Sequence, residues 1–401
     1  MRLSHARIVA CFALACLSLA PAFAQQKLSY PPTRVEVVSE TLHGVKIDDP
    51  YRWLEDGGSP EVAAWTEQQN ALTRGQLDRF GDLRSRLRTQ LTELYKIPVV
   101  TTPREYSKSY FFTRRGGEEN HAIVHVKKDD VDGESSVALN PNEFSKDGTV
   151  ALDWFVPSPD GSLIAFGKSS SGDEWSTLYL RDVKAGREMM LAIPRTRACA
   201  IAWNEKSDGF LYTRYPQVGE VPAGDENYYR HVYYHKFGTE WKDDAKVFGE
   251  GAPKETWHNV SASSDYKYQF ITASIDRSKN DLYMRKGGEG EFKPIAVGLD
   301  GRFSADVHDG KLYMLTNLDA PRYRVLVTDV AKPEQDNWTE IVPQQEGVIE
   351  SMDIAGGKLV LHVTENSCSS VRVYDAEGTL EHTIELPTIG YVTGVGARGD
   401  S

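Results

Sequence analysis

From about residue 97 onward, apolar and polar positions alternate with a period of two, and β-branched and aromatic side chains dominate. The alternation comes in short runs. Tyr110-Phe111-Phe112-Thr113 and Ala122-Ile123-Val124-His125-Val126 form one group, followed by Ala151 to Phe155, Ser162 to Phe166 and Thr177-Leu178-Tyr179-Leu180. The order returns in Ala200-Ile201-Ala202-Trp203, Gly209-Phe210-Leu211-Tyr212 and Val232-Tyr233-Tyr234, then in Tyr268 to Ile271 and Asp281 to Met284. It returns again in Lys311 to Met314 and Tyr323 to Val327, and in Lys358 to Leu361 and Ser370 to Tyr374, with a closing run near Leu380 to Leu386. Turn signals separate the runs at Asp160-Gly161, Asp208-Gly209, Asp265-Tyr266-Lys267, Asp309-Gly310, Gly356-Gly357 and Arg398-Gly399. The unit therefore repeats about every 45 residues, with roughly four short strands per copy, which is the count of one β-propeller blade. The pattern predicts an all-β propeller of seven-bladed type, with six blades complete. Tyr391-Val392-Thr393-Gly394-Val395 occupies the place of the first strand of a seventh, whose partner strands are missing.

Residues 25–96 follow a different period. After the extended, proline-marked Tyr30-Pro31-Pro32, a capped start at Ser59-Pro60-Glu61 leads into Val62, Trp65, Gln69 and Leu72, and a second series runs Leu83, Leu87, Leu91, Leu94. Two amphipathic helices are predicted, and Ile97-Pro98 closes them. At the start, Arg2 and Arg7 precede an apolar run from Ile8 to Ala20, then Pro21 and Ala22-Phe23-Ala24. This is the pattern of a secretory signal peptide cleaved after Ala24, too short for a permanent membrane span. Cys16 follows Ala13-Leu14-Ala15, a poor lipoprotein box. The organisation expected is a signal peptide over 1–24, a helical segment over 25–96 and the propeller over 97–401, with a periplasmic or secreted destination.

Charge narrows the partners. The 401 residues carry a formal net charge of −12, and loss of Arg2 and Arg7 with the leader makes it more negative. Such a chain repels nucleic acid and anionic membrane surfaces, so neither is expected as a partner. Of four cysteines, Cys11 and Cys16 leave with the leader; Cys199 and Cys368 lie in different repeats and read as two free thiols.

Few residues offer chemistry. A serine hydrolase needs its nucleophile on a Gly-x-Ser-x-Gly turn with a histidine and an acid nearby. Gly57-Gly58-Ser59-Pro60 reads instead as a helix N-cap, and Gly399-Asp400-Ser401 precedes no helix. His231 and His235 have the spacing of helical zinc ligands but sit in a strand, without the glutamate. Ser169-Ser170-Ser171-Gly172 lacks the lysine of a phosphate loop and reads as a blade turn. The sequons at Asn259 and Asn337 matter only in a glycosylating host. Among the eight tryptophans, Trp154 and Trp203 fall at inner-strand positions and read as packing between blades, whereas Trp175, Trp241, Trp257 and Trp338 lie in loops or at strand ends. No catalytic, metal-binding or cofactor-binding residue is assigned, and no cofactor is called for.

Several longer strings belong together: Asp49-Pro50-Tyr51-Arg52-Trp53-Leu54-Glu55-Asp56 after His43-Gly44, Leu139-Asn140-Pro141-Asn142, Ser158-Pro159-Asp160-Gly161 and Gly172-Asp173-Glu174-Trp175. They continue with Gly209 to Pro216, His235-Lys236-Phe237-Gly238-Thr239, Ala320-Pro321-Arg322-Tyr323 and Glu385-Leu386-Pro387. In order and spacing the chain resembles the N-terminal half of the prolyl oligopeptidase family of serine peptidases. The resemblance implies a seven-bladed propeller over an α/β-hydrolase domain, with the helical segment packed on the hydrolase. It also implies a serine, aspartate and histidine located beyond the propeller, so this chain is expected to be a truncated, inactive portion. The partners implied are short proline-containing peptides and the chain's own C-terminal hydrolase domain, in a monomer. Gly172-Asp173-Glu174-Trp175 departs from the family's usual Gly-Ser-Asp-Trp. The alternative from another class is a non-catalytic periplasmic propeller that binds peptides or a partner protein.

Overall fold

The computed structural model describes residues 28–396 apart from 289, and these fall into two compact units divided between Tyr95 and Lys96. The signal-peptide reading lies outside the described residues, as do Arg398-Gly399 and the last residues after them.

In the first unit, the strands Val38–Leu42 and Val45–Asp49 pair as a hairpin through His43 and Gly44, both at positive φ. Helix α1 (Pro60–Leu77) starts as the residues dictate: Ser59 Oγ accepts from the Glu61 N–H at 3.2 Å, and Pro60 fills the first turn where no N–H is needed. Helix α2 (Gly81–Tyr95) carries Leu83, Leu87, Leu91 and Leu94 along one exposed stripe. The segment expected to be helical thus also contains a β-hairpin.

The second unit is a run of antiparallel sheets whose strands pair in chain order. Blades 1 to 6 cover residues 99–139, 150–193, 201–248, 257–296, 303–342 and 348–384. Blades 2 to 6 have four strands each, and blade 1 has a fifth short strand, Arg104–Tyr106, paired to Ser109–Arg115. Alternation sends successive side chains to opposite faces, so each blade offers an apolar face to both neighbours. Among the described residues, hydrophobic clusters sit between consecutive blades. Leu178, Ile193, Trp203 and Phe210 join blades 2 and 3, while Phe270, Leu282, Phe303 and Leu312 join blades 4 and 5. Trp154 and Trp203 both belong to the contact between blades 2 and 3.

Two of the tight turns share one device. In blade 2, Ser158 N–H bonds the Leu163 carbonyl while Asp160 accepts from Ser158 Oγ and the Ser162 N–H. Ser263, Asp265, Lys267 and Tyr268 repeat this in blade 4. Burial works to raise both carboxyls, but these donors prevail and hold Asp160 and Asp265 below the usual carboxylate range.

One expectation is corrected. The described residues form a six-bladed propeller, not one of seven-bladed type, and Tyr391-Val392-Thr393-Gly394-Val395 contains no strand. The segment lies against blade 6 instead: the Gly390 carbonyl accepts from Ser369 N–H at 2.7 Å, Val392 N–H donates to Ser369 Oγ at 2.8 Å, and the Tyr391 ring meets His362 edge-on. A strand is defined by its ladder. With no adjacent strand offering one, the alternating pattern satisfies its backbone locally.

Candidate functional site

Antiparallel order brings two kinds of connection to the same end of each blade: the link between its second and third strands, and the crossover into the next blade. Around blades 2 to 4 these are residues 171–176, 194–200, 215–230, 249–256 and 275–280. Arginines and aromatics collect on this rim. The Arg195 guanidinium lies 3.9 Å from the Trp175 ring centroid, Arg197 lies 5.6 Å from it, and Tyr215 meets the same ring edge-on. Arg195 also ties down the 215–230 loop by donating to the carbonyls of Pro216 and Glu226 and to Asn227 Oδ1. Arg214 stacks over Tyr233 and reaches Glu220 at 3.3 Å.

Arg230 is the least compensated of these charges. It is 2% exposed, packs 4.1 Å from the Trp257 ring centroid, and donates to the carbonyls of Ala198 and His258. Its Nε is buried without a partner, and among the described residues no carboxylate lies within ion-pair distance. Burial accordingly pulls its pKa below that of an ordinary arginine. The rim backbone is strained as well: Ser171, Glu174, Arg195, Ala198 and Tyr229 all have positive φ between 47° and 64°. Strain of this kind persists only where surrounding contacts over-determine it, and it clusters at functional positions.

A cavity of about 750 Å³ opens on the same end of blade 4. Phe248, Tyr283 and Leu299 supply its apolar wall, and Glu250, Asp276, Asp281 and Lys279 its charges. His258 lines it as well: its Nδ1–H donates to the Arg230 carbonyl at 2.6 Å, and Nε2 is buried without a partner. Burial lowers the His258 pKa and takes that of its neighbour His231 down to about 4, with the Lys246 and His258 charges adding to the effect on His231.

The residues weighed from sequence separate clearly. His231 and His235 do not converge on a common point: His231 packs on His258, whereas His235 donates through Nδ1 to Asp244 at 2.9 Å, a carboxylate that also receives the Tyr212 hydroxyl at 2.8 Å. Ser59 is an N-cap, and Ser169 donates to Asp153. Cys199 is free and donates to the Thr213 carbonyl, with burial pushing its thiol up to about 11; Cys368 is also free. Of the four peripheral tryptophans, Trp241 and Trp338 pack against blade cores, while Trp175 and Trp257 face arginines. The cluster escaped the sequence reading because Arg230 stands far along the chain from Arg195 and Arg197 and meets them only through blade topology. The one local signal was Arg195-Thr196-Arg197 between two predicted strands.

Comparison with known proteins places this geometry. Residues 30–401 match the family model described as the N-terminal β-propeller domain of prolyl oligopeptidase. The chain is 28% identical over 394 residues to the prolyl endopeptidase of Elizabethkingia meningoseptica, covering 97% of this chain and 55% of that protein. It is 27% identical to prolyl oligopeptidase A of Galerina marginata, covering 87% of this chain and 52% of the relative. The chain thus spans about half the length of the curated relatives it matches. A solved structure from an analysis of two prolyl endopeptidases aligns with a TM-score of 0.83 at 34% identity, over 90% of this chain and 54% of that one. Prolyl oligopeptidase B of Galerina marginata, at 22% identity and a TM-score of 0.79, shares the fold. The sheet order, the turns and the whole-length match lead to one conclusion: the chain belongs to the prolyl oligopeptidase N-terminal β-propeller family.

Proposed function

We propose that this chain is the propeller portion of an exported serine endopeptidase that hydrolyses short peptides after proline, acting as the part that limits access to a hydrolase domain supplied by further sequence. The observation that carries the reading is the coverage: the match runs along 97% of this chain but 55% of a prolyl endopeptidase. The exposed leucine stripe of α2, at 47–62% exposure, supports a packing partner for the first unit. The leader read at residues 1–24 supports export. A propeller encloses a narrow channel, and over a cleft it admits extended peptides while excluding folded proteins.

The test uses the product of the reading frame carried through whatever follows Ser401. It is expected to cleave a short proline-containing peptide and to leave the same sequence intact when embedded in a folded protein. Equal cleavage of both would overturn the access role.

A further inference from the structure

We infer that the arginine and tryptophan rim of blades 2 to 4 is a carboxylate-binding site that selects peptides bearing an acidic group. That the ligand is a peptide rests on the function proposed above; the preference for a carboxylate is read from the rim itself.

Three guanidinium groups meet at one place: those of Arg195 and Arg197 both lie over the Trp175 ring, which Tyr215 also meets edge-on, and Arg230 reaches the same connection by donating to the carbonyl of Ala198. They do so on a chain whose formal charge is −12, where chance placement favours acids. Arg197 pairs with Glu174 at 2.5 Å, but both side chains are largely exposed, at 45% and 68%, and such surface pairs are weak and exchangeable. Arg230 has no acid at all, and its buried, unneutralised charge leaves a positive potential at the rim that an arriving anion relieves. The planar guanidinium of Arg197 is suited to bidentate contact with a carboxylate, and it sits beside Trp175. Trp257, 44% exposed above Arg230, offers an apolar face for the rest of the ligand. Arg197 is the contact residue in this scheme. Arg230 acts through its field, and Arg195 fixes the loop that completes the wall.

The carboxylate has two possible sources in a peptide, a side chain or the C-terminus. Isothermal titration of the 401-residue chain at low salt would separate them with three peptides of one sequence: one with glutamate and an amidated end, one with glutamine and a free end, one with glutamine and an amidated end. At least one acidic peptide should bind about tenfold more tightly than the neutral one, and that advantage should shrink as salt rises. Arg197→Ala should remove most of the advantage without altering the thermal melt, and Arg197→Lys should restore part of it. Equal affinity for all three peptides, no binding of any, or an unaffected Arg197→Ala variant would overturn the site. Proline-specific cleavage by the longer product, if retained alongside such a failure, would leave the proposed function standing.

Discussion

His231 is a residue on which burial acts strongly. It lies within blade 3 against the His258 ring, with Lys246, Arg214 and Glu250 as its charged surroundings, and its pKa falls to about 4. An unfolded histidine titrates near 6.5, so between about 6.5 and 4 the unfolded chain binds more protons than the folded one. Stability contributed by the neutral ring is therefore complete above that window and is lost as pH falls through it. Urea midpoints should drop from pH 7 to pH 4.5 in the unaltered protein and drop less in His231→Gln. A parallel decline in both would show that other groups govern the acid response. Asp160 and Asp265 act in the same direction at lower pH, since carboxyls held below their ordinary range stop stabilising the turns once they are protonated.

At the scale of the element, each blade is held by its own ladders and, through its apolar faces, by its neighbours. Trp203, 1% exposed, belongs to blade 3 but packs among Leu178, Leu180 and Ile193 of blade 2 and sends its indole N–H to the Val156 carbonyl. Trp203→Ala should cost about 3–5 kcal/mol by emptying that contact, read as a lowered urea midpoint with the m-value retained. A loss under 1 kcal/mol would mean that the blades adjust to fill the space. The blades were legible in the sequence because period-two alternation and Asp-Gly turns report strands and their ends directly. The hairpin Val38–Leu42 with Val45–Asp49 was not read, because its side chains are mostly exposed and leave little apolar alternation to detect. The strand expected at Tyr391 to Val395 failed for the complementary reason: alternation reports what a segment prefers, whereas a ladder requires a partner. Candidate site residues divide the same way. Trp175 and Trp257 stood out as loop aromatics, but Arg195 and Arg197 join Arg230 only when two connections, 194–200 and 215–230, reach one rim.

For the whole molecule, two compact units account for the described residues, the second of them the propeller, in a chain of the prolyl oligopeptidase N-terminal β-propeller family. The account holds that the propeller controls which peptides arrive and that bond cleavage is performed by groups outside these 401 residues. Its most direct test is hydrolysis of a chromogenic proline peptide by two proteins side by side: the 401-residue chain and the product of the longer reading frame. The account predicts turnover only by the longer product. Turnover by the 401-residue chain at a rate proportional to its concentration, or a longer frame that adds no peptidase activity, would contradict it.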